Sequence, residues 1–252
     1  MTFSHNDSLH HVIAGFIEVI KKTETYIGSL DFTRVSFSLK DDGSPVSNLD
    51  IAIENFVYSE LAVVLPDFKL IGEESDFPSL ASGNYLVVDP IDGTENFISG
   101  IPIWGTGFAL VVENKLVASW IFFPEISISV YSKLLREALR LPNHSIRKPF
   151  GISRVRGFSS NTEWSNVSSN LEGEIRVFGC SLFNILLASQ GAISYKSSEK
   201  GVRLWDILPA ALFALESGKM VLINGEEYRG QFLDPNLRFV VEISELKASG
   251  SR

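Results

Sequence analysis

Acidic side chains recur in four short segments of the chain, each beside a turn or the predicted end of a strand or helix. The most distinctive segment, from Asp89 to Phe97, reads Asp-Pro-Ile-Asp-Gly-Thr-Glu-Asn-Phe. Because proline has a fixed φ and no N–H group, this turn can direct the carboxylates of Asp89 and Asp92 and an intervening carbonyl toward one point. Carboxylate and carbonyl oxygens are the ligands that Mg²⁺ prefers. The segment therefore predicts a site for a hard divalent cation.

The residues after Asp92 are suited to binding an anion beside that cation. Gly93 lets a ligand approach the backbone closely, and Thr94 offers a hydroxyl group and an N–H group. If a helix begins at Thr94, its free N–H groups form an anion-binding site. An anion bound next to a metal ion is the arrangement expected from this pattern.

The other three segments are Lys40–Asp50, Gly72–Ser75 and Leu204–Asp206. Each has an ordinary structural explanation when it is taken alone. Two glutamates after a glycine are common at a solvated helix start, and an aspartate after a tryptophan often caps a helix. Ser-Pro-Val in the segment Lys40–Asp50 is usually part of a loop, and the Asp-Pro pair of the segment Asp89–Phe97 usually forms a turn. Only the combination of the segments and their order along the chain point to a function.

In combination, the segments resemble the inositol monophosphatase family, within the wider group of lithium-sensitive, metal-dependent sugar phosphatases. The shared patterns occur in the same order: Lys-x-Asp-x-Ser-Pro-Val-Ser-x-x-Asp, Gly-Glu-Glu, Asp-Pro-Ile-Asp-Gly-Thr-x-Asn-Phe and Trp-Asp. The resemblance implies a Mg²⁺-dependent phosphatase that hydrolyses a small phosphorylated metabolite by attack of a metal-activated water. An inositol phosphate or a related polyol or sugar phosphate is the substrate that it implies first.

The resemblance also implies which residues hold the metal ions. One Mg²⁺ would be bound by Glu73, Asp89 and the backbone carbonyl of Ile91, and a second by Asp89, Asp92 and Asp206. A third, weaker ion would lie near Glu73 with water ligands. Two metal ions close together can stabilise both the attacking and the leaving oxygen of a displacement at phosphorus.

The catalytic roles follow from the same resemblance. Glu73 and Thr94 would orient the attacking water and help to remove its proton, with Asp50 hydrogen-bonded to Thr94. The backbone N–H groups of Gly93 and Thr94 would hold the phosphate. The four histidines lie away from every motif, which fits a water that is activated by metal and not by imidazole.

Three further residues are candidates for substrate contacts. Glu199 lies seven residues before Asp206, where the family often places an acid that accepts hydrogen bonds from substrate hydroxyls; it could equally be a surface residue. Ser181 belongs to a segment that resembles the start of the family's helix beside the substrate. Lys40 is expected to stabilise the acidic cluster or a phosphate, with a solvated lysine at a strand end as the alternative.

The chain departs from the family pattern at Glu95, Pro209 and the segment 127–149. Glu95 adds a negative charge beside the predicted phosphate site, and Pro209 is tolerable in the first turn of a helix. These differences leave the substrate open, so histidinol phosphate, fructose 1,6-bisphosphate and 3′-phosphoadenosine 5′-phosphate are alternatives. A catalytically quiet binding or regulatory protein is the alternative of another class, and the complete set of metal ligands disfavours it.

The elements that must position these residues can be predicted from hydrophobic periodicity. Helices are predicted over residues 10–30, 47–66, 131–141, 162–171, 181–190 and 206–217. Strands are predicted over 35–39, 68–71, 85–88, 107–112, 116–123, 154–158, 175–178 and 192–195.

These elements predict an α/β protein in two halves. Residues 1–145 form an α+β half with most of the metal ligands, and residues 146–252 form an α/β half with Asp206 and substrate contacts. The resemblance implies that both halves belong to a layered αβαβα sandwich.

Composition restricts the class of protein further. Of the 252 residues, 45% are hydrophobic and 21% are charged, as in a soluble globular protein. The net charge of −8 offers no basic surface for nucleic acid, so an anionic substrate would need a bound metal as local positive charge. The single cysteine, Cys180, cannot form an internal disulfide. Neither a signal peptide nor a membrane-spanning run is evident, so we expect a cytoplasmic protein, and the resemblance implies a homodimer.

Overall fold

A computed structural model describes residues 5–75, 83–141, 156–158 and 175–245. Its helices are α1 (His5–Gly28), α2 (Asn48–Val64), α3 (Thr94–Ile98), α4 (Lys133–Leu139), α5 (Ser181–Ser189) and α6 (Leu204–Glu216). The strands before residue 145 are β1 (Phe37–Leu39), β2 (Pro45–Ser47), β3 (Lys69–Gly72), β4 (Tyr85–Asp92), β5 (Gly105–Val112), β6 (Lys115–Phe123) and β7 (Ile128–Tyr131). The later strands are β8 (Arg156–Phe158), β9 (Ile175–Val177), β10 (Ser194–Lys196), β11 (Met220–Ile223), β12 (Glu226–Glu227) and β13 (Val241–Ser244).

The start of α2, which agrees with the helix predicted over 47–66, is fixed by a reciprocal cap. The Ser47 hydroxyl oxygen accepts hydrogen bonds from the N–H groups of Leu49 and Asp50, and the Asp50 carboxylate accepts the N–H of Ser47. This capping box satisfies helix N–H groups that have no partner within the helix. It also fixes the Asp50 side chain in the interior, where the residue is fully buried.

A five-stranded sheet in the order β3-β4-β5-β6-β7 lies at the centre of the N-terminal half. Strands β3 and β4 are parallel, and the other neighbours are antiparallel. The strands predicted over 107–112 and 116–123 are confirmed as β5 and β6, and they pair as an antiparallel hairpin with Glu113 and Asn114 at positive φ in the turn. Such left-handed turn residues match the twist of paired strands.

Both faces of this sheet are buried, which explains the continuous apolar sequence of β4. Leu86 and Val88 pack on one face with α1 and α2, whereas Tyr85 and Val87 pack on the other face with α5 and α6. Helices α5 and α6 also contact β10, β11 and β13 of the second sheet. The described elements therefore form four alternating layers: helices, sheet, helices, sheet.

The second sheet has the order β12-β11-β13-β10-β8-β9 and mixes parallel with antiparallel pairs. Its strands all follow the predicted boundary near residue 145, which itself lies outside the described residues, so the division into halves stays a prediction. The predicted helix over 162–171 also lies outside them. In the described part of the chain, no helix is long and apolar enough to cross a membrane.

The helix predicted over 131–141 is wrong at its start. Tyr131 pairs with Trp120 in the sheet, and α4 begins only after Ser132. The hydroxyl of the buried Ser132 accepts the N–H of Ser119. Pairing of β7 with β6 therefore prevails over the helical spacing of the apolar residues.

Candidate metal and phosphate site

Strand β4 runs through the Asp-Pro pair and ends at Asp92, not at Val88 as the sequence predicted. Its pairing with β5 is irregular between Asp89 and Asp92, because Pro90 has no N–H to donate to the ladder. The hydroxyl group of Thr106 donates to the Pro90 carbonyl at 2.7 Å. This bulge occurs where the first two predicted metal ligands lie.

A third aspartate reaches the bulge from α6. Carboxylate oxygens of Asp89, Asp92 and Asp206 all lie within 4.8 Å of one another. Helix α6 begins at Leu204, so Asp206 stands in its first turn, and its Oδ2 atom accepts the N–H of Arg203 at 2.7 Å. The sequence motifs Asp-Pro-Ile-Asp and Trp-Asp thus meet in space.

Because α6 starts earlier than predicted, Pro209 lies beyond the first turn and inside the helix. Our placement of Pro209 in the first turn is therefore wrong. A Cβ atom at Gly107 of β5 would meet Pro209 and Leu182. Because glycine has no Cβ atom, α5 and α6 can approach the sheet closely at this position.

The three aspartates differ in their hydrogen bonds. Asp92 Oδ2 accepts hydrogen bonds from the Cys180 thiol at 2.8 Å and from the N–H of Leu182 at 2.5 Å. Asp89 is fully buried, and neither of its carboxylate oxygens has a hydrogen-bond partner among the described residues. A buried polar atom without a partner costs free energy. Asp89 therefore requires a ligand that the side chains around it do not supply.

Burial, followed by the charges of neighbouring carboxylates, raises the pKa of Asp89 and of Asp206 well above the ordinary value. Burial also raises the pKa of Asp92, to about 6. The charge of Glu73 contributes to all three shifts, so Glu73 lies near the cluster. Converging carboxylates around an unpartnered buried one fit a hard divalent cation, which would neutralise them.

A phosphate-binding loop is predicted directly after Asp92. Gly93 precedes α3 and has φ +87°. The Thr94 hydroxyl lies 3.0 Å from the Ile91 carbonyl oxygen and 3.3 Å from Asp50 Oδ1. The expected contact between Thr94 and Asp50 is therefore present, and it connects the capping box of α2 to this loop.

The family can be assigned once this geometry is known. A sequence profile of the inositol monophosphatase family matches residues 9–249. This chain belongs to the inositol monophosphatase family. Family members hydrolyse phosphate monoesters, so the chain is a phosphatase of that class.

Related proteins agree with this assignment. The chain is 25% identical to a histidinol-phosphatase of Mycobacterium tuberculosis over 211 residues, which cover 78% of this chain and 79% of the relative. It is 28% identical to an inositol-1-monophosphatase of Mesorhizobium japonicum over 211 residues, covering 77% and 78%. A staphylococcal inositol monophosphatase-1 structure has the same fold, with a TM-score of 0.73 and 17% identity over 96% of this chain and 91% of that one.

Lys40 contacts the acidic cluster and is not a solvated strand-end lysine. Its Nζ atom lies 2.8 Å from Glu73 Oε1 and 2.7 Å from Glu74 Oε1. The positive charge of Lys40 thus partly balances the carboxylates that follow β3. This contact fits the first of the two roles that the family resemblance implied for Lys40.

The predicted substrate contacts differ in their surroundings. Ser181 is the first residue of α5, and its backbone N–H donates to Asp92. The Glu199 side chain is 68% exposed and pairs with Lys196 at 3.0 Å. A surface ion pair of this kind contributes little stability. Contact of Ser181 and Glu199 with a substrate stays a prediction.

Two residues that support the site received no role from the sequence. Cys180 caps α5 and donates to Asp92. Asn96 donates to the carbonyl groups of Ile103 and Phe178 at 2.7 and 2.6 Å, so it joins α3 to the segment that precedes α5. The Gly-Cys-Ser sequence before an apolar helix was the available signal for Cys180, since small polar residues favour helix N-caps.

Replacing Gly93 with alanine is expected to lower both stability and activity. The positive φ alone costs an L-residue about 1–2 kcal/mol. A Cβ atom would also lie 3.1–3.2 Å from the Gly179 carbonyl oxygen, Cys180 Cβ and the Ile103 carbonyl oxygen.

Gly218→Ala is the matched control. Gly218 has φ +69°, and a Cβ there would meet no described atom within 4 Å. Thermal unfolding should therefore show a larger loss for Gly93→Ala than for Gly218→Ala, and only Gly93→Ala should slow phosphate release. Equal losses would contradict the close packing inferred around Gly93.

Proposed function

We propose that this phosphatase hydrolyses a small phosphorylated polyol or sugar, such as an inositol phosphate, in a Mg²⁺-dependent reaction. The main support for this proposal is the environment of Asp89. Asp89 is buried beside Asp92 and Asp206, and neither of its carboxylate oxygens forms a hydrogen bond with any residue in the described part of the chain. A carboxylate in that setting is stable in ionised form only when a cation is bound next to it.

Two Mg²⁺ ions are proposed, with a third of lower affinity near Glu73. Glu73, Asp89 and the Ile91 carbonyl would hold one ion, and Asp89, Asp92 and Asp206 would hold the other. When bound, Mg²⁺ supplies positive charge that neutralises the phosphate oxygens and promotes ionisation of water.

Side chains and backbone groups of this chain would orient the attacking water, accept its proton and bind the phosphate. The Thr94 hydroxyl can donate to the Ile91 carbonyl or to Asp50, which leaves its oxygen free to accept a hydrogen bond from the attacking water. Glu73 would also hydrogen-bond to that water and take its proton, while the P–O bond to the alcohol breaks and the departing oxygen takes a proton from solvent. The N–H groups of Gly93 and Thr94 would bind the phosphate and fix the phosphorus atom in line with the water.

Histidinol phosphate is the second candidate substrate. It is favoured by the similarity to a histidinol-phosphatase and by the exposed carboxylate of Glu95 in α3, which would suit a cationic amine. Fructose 1,6-bisphosphate and 3′-phosphoadenosine 5′-phosphate are further alternatives within the superfamily. We also propose a cytoplasmic homodimer that acts without nucleic acid, in keeping with the net charge of −8.

Phosphate release from a panel of monoesters tests the function. The panel holds inositol 1-phosphate, histidinol phosphate, fructose 1,6-bisphosphate and 3′-phosphoadenosine 5′-phosphate, each with Mg²⁺ and with a chelator. Mg²⁺-dependent release from inositol 1-phosphate above the others is expected. Equal release in the presence of the chelator would overturn the metal requirement, and preference for histidinol phosphate would select the second candidate.

Replacing Mg²⁺ with Ca²⁺ is expected to reduce turnover on the order of 100-fold, equivalent to about 2.7 kcal/mol of transition-state stabilisation. Ca²⁺ is larger and accepts more ligands in looser geometry, whereas Mg²⁺ demands near-octahedral coordination. The measurement is initial rate at matched free-ion concentrations, followed by titration of excess Ca²⁺ into the Mg²⁺ enzyme. Undiminished turnover with Ca²⁺ would show that ion geometry does not limit the reaction.

A further inference from the structure

Glu54 is a buried carboxylate that lies outside the proposed set of metal ligands. It follows Asp50 by one turn of α2 and is 4% exposed. Its Oε2 atom accepts the N–H of Glu74 at 2.9 Å, and its Oε1 atom accepts the hydroxyl of Ser75. Glu54 thus binds the two residues that come directly after Glu73.

Gly72 directly precedes Glu73 and lies against the carboxylate of Glu54. A Cβ atom added to Gly72 would overlap the carboxylate of Glu54. The end of β3 therefore passes directly over Glu54, which explains why this turn begins with a glycine. A single side chain therefore lies against the backbone before Glu73 and accepts hydrogen bonds from the two residues after it.

The position of Glu54 is electrostatically unfavourable by itself. It is buried close to the negative charge of Glu73, and burial raises its pKa. Lys40 bonds to the side chains of Glu73 and Glu74, whereas the hydrogen bonds of Glu54 go to the backbone of Glu74 and to Ser75. Lys40 and Glu54 therefore constrain different parts of the same turn.

We propose that Glu54 is a positioning residue that fixes the turn from Gly72 to Ser75 so that Glu73 faces the cation bound by Asp89. This inference rests on the proposed function, because it presumes that Glu73 is a metal ligand. Partners that orient a metal ligand typically affect metal affinity by about 10–100-fold. The expected consequence of losing Glu54 is weaker Mg²⁺ binding.

Three variants separate positioning from general stability. Glu54→Met removes both hydrogen bonds at similar side-chain length. Glu54→Gln keeps them, since its carbonyl oxygen can accept the N–H of Glu74 and its amide can donate to the Ser75 hydroxyl. Glu60→Met is the matched control, because Glu60 lies on the same helix and pairs with Lys22 at 2.8 Å.

Calorimetric titration of the metal-free protein with Mg²⁺ alone is the primary measurement. Glu54→Met should raise the dissociation constant about 10–100-fold. Glu54→Gln and Glu60→Met should stay within about threefold of the parent, since both keep the hydrogen bonds to Glu74 and Ser75. In phosphate release, Glu54→Met should need more Mg²⁺ and recover most of kcat at saturation. Unchanged Mg²⁺ affinity in a folded Glu54→Met protein would overturn the proposal.

If Glu54→Met does not fold, Ser75→Ala is the second variant for the Mg²⁺ titration. It removes one of the two hydrogen bonds at an exposed residue and should weaken Mg²⁺ binding several-fold, in the same direction. Parent-like affinity in Ser75→Ala would then refute the role of Glu54. Failure of the parent protein itself to bind Mg²⁺ would instead refute the proposed function, so the two failures can be told apart.

Discussion

Replacing Asp89 with asparagine is expected to lower turnover by at least about 1,000-fold, because one proposed ligand shared by both metal ions loses its charge. The same change should leave the metal-free protein as stable as the parent, or make it more stable. The parent carboxylate is buried, has no hydrogen-bond partner in the described part of the chain and is repelled by Glu73, Asp92 and Asp206. A neutral amide removes the repulsion and can donate to the neighbouring carboxylates.

Two measurements on one preparation check this pair of effects. Phosphate release is measured with saturating Mg²⁺, and thermal unfolding is measured after removal of metal with a chelator. Asp67→Asn, at an exposed position, is the matched control and should change neither. Turnover close to that of the parent would exclude Asp89 as a metal ligand, and a markedly lower unfolding temperature would contradict the unpaired state of its carboxylate.

The metal-free protein is expected to be several kcal/mol more stable near pH 5 than near pH 8, given about 1.4 kcal/mol per unit of pKa shift. Burial raises the pKa of Asp50 and of Asp92 to about 6, and that of Glu74 to about 7. Each of these carboxyl groups binds its proton more tightly in the folded chain than in the unfolded chain. Their stabilising contribution is therefore complete below about pH 4 and is lost as the pH rises through 6 to 7.

Urea unfolding of the metal-free protein across this pH range measures the effect. Mg²⁺ should restore stability at pH 8, by about 2.7 kcal/mol at a concentration 100 times its dissociation constant. Asp89→Asn should show a shallower pH dependence, because one buried charge is missing, and Asp67→Asn should match the parent. A metal-free protein that becomes more stable toward pH 8 would show that the carboxylates are not buried together.

Several parts of the site could be predicted from the sequence because short-range chemistry determines them. Ser47 and Asp50 are three residues apart, the spacing at which two side chains can cap one helix end reciprocally. The segment from Asp89 to Thr94 combines a proline, a glycine and two carboxylates in one turn. The order of such motifs was enough to indicate the family, which the match over residues 9–249 confirms.

Other features of the fold were decided by contacts between distant segments. Strand β4 continues through Pro90 because β5 pairs with it on both sides of the bulge, up to Asp89 and again at Asp92. Tyr131 is in a strand because it pairs with Trp120. Strands β11, β12 and β13 were not predicted, and pairing between distant segments places them. Strand β13 pairs with both β10 and β11, and β12 pairs with β11.

The sequence by itself thus determined the chemical groups of the site, and the tertiary structure decided which of them meet. Asp206 joins Asp89 and Asp92 only because α6 packs on the face of the sheet opposite α1 and α2. Glu54 reaches the turn that carries Glu73 only because Gly72 has no side chain to fill the space of its carboxylate. Local propensity acts over a few neighbouring residues, whereas these encounters depend on which apolar faces are buried together.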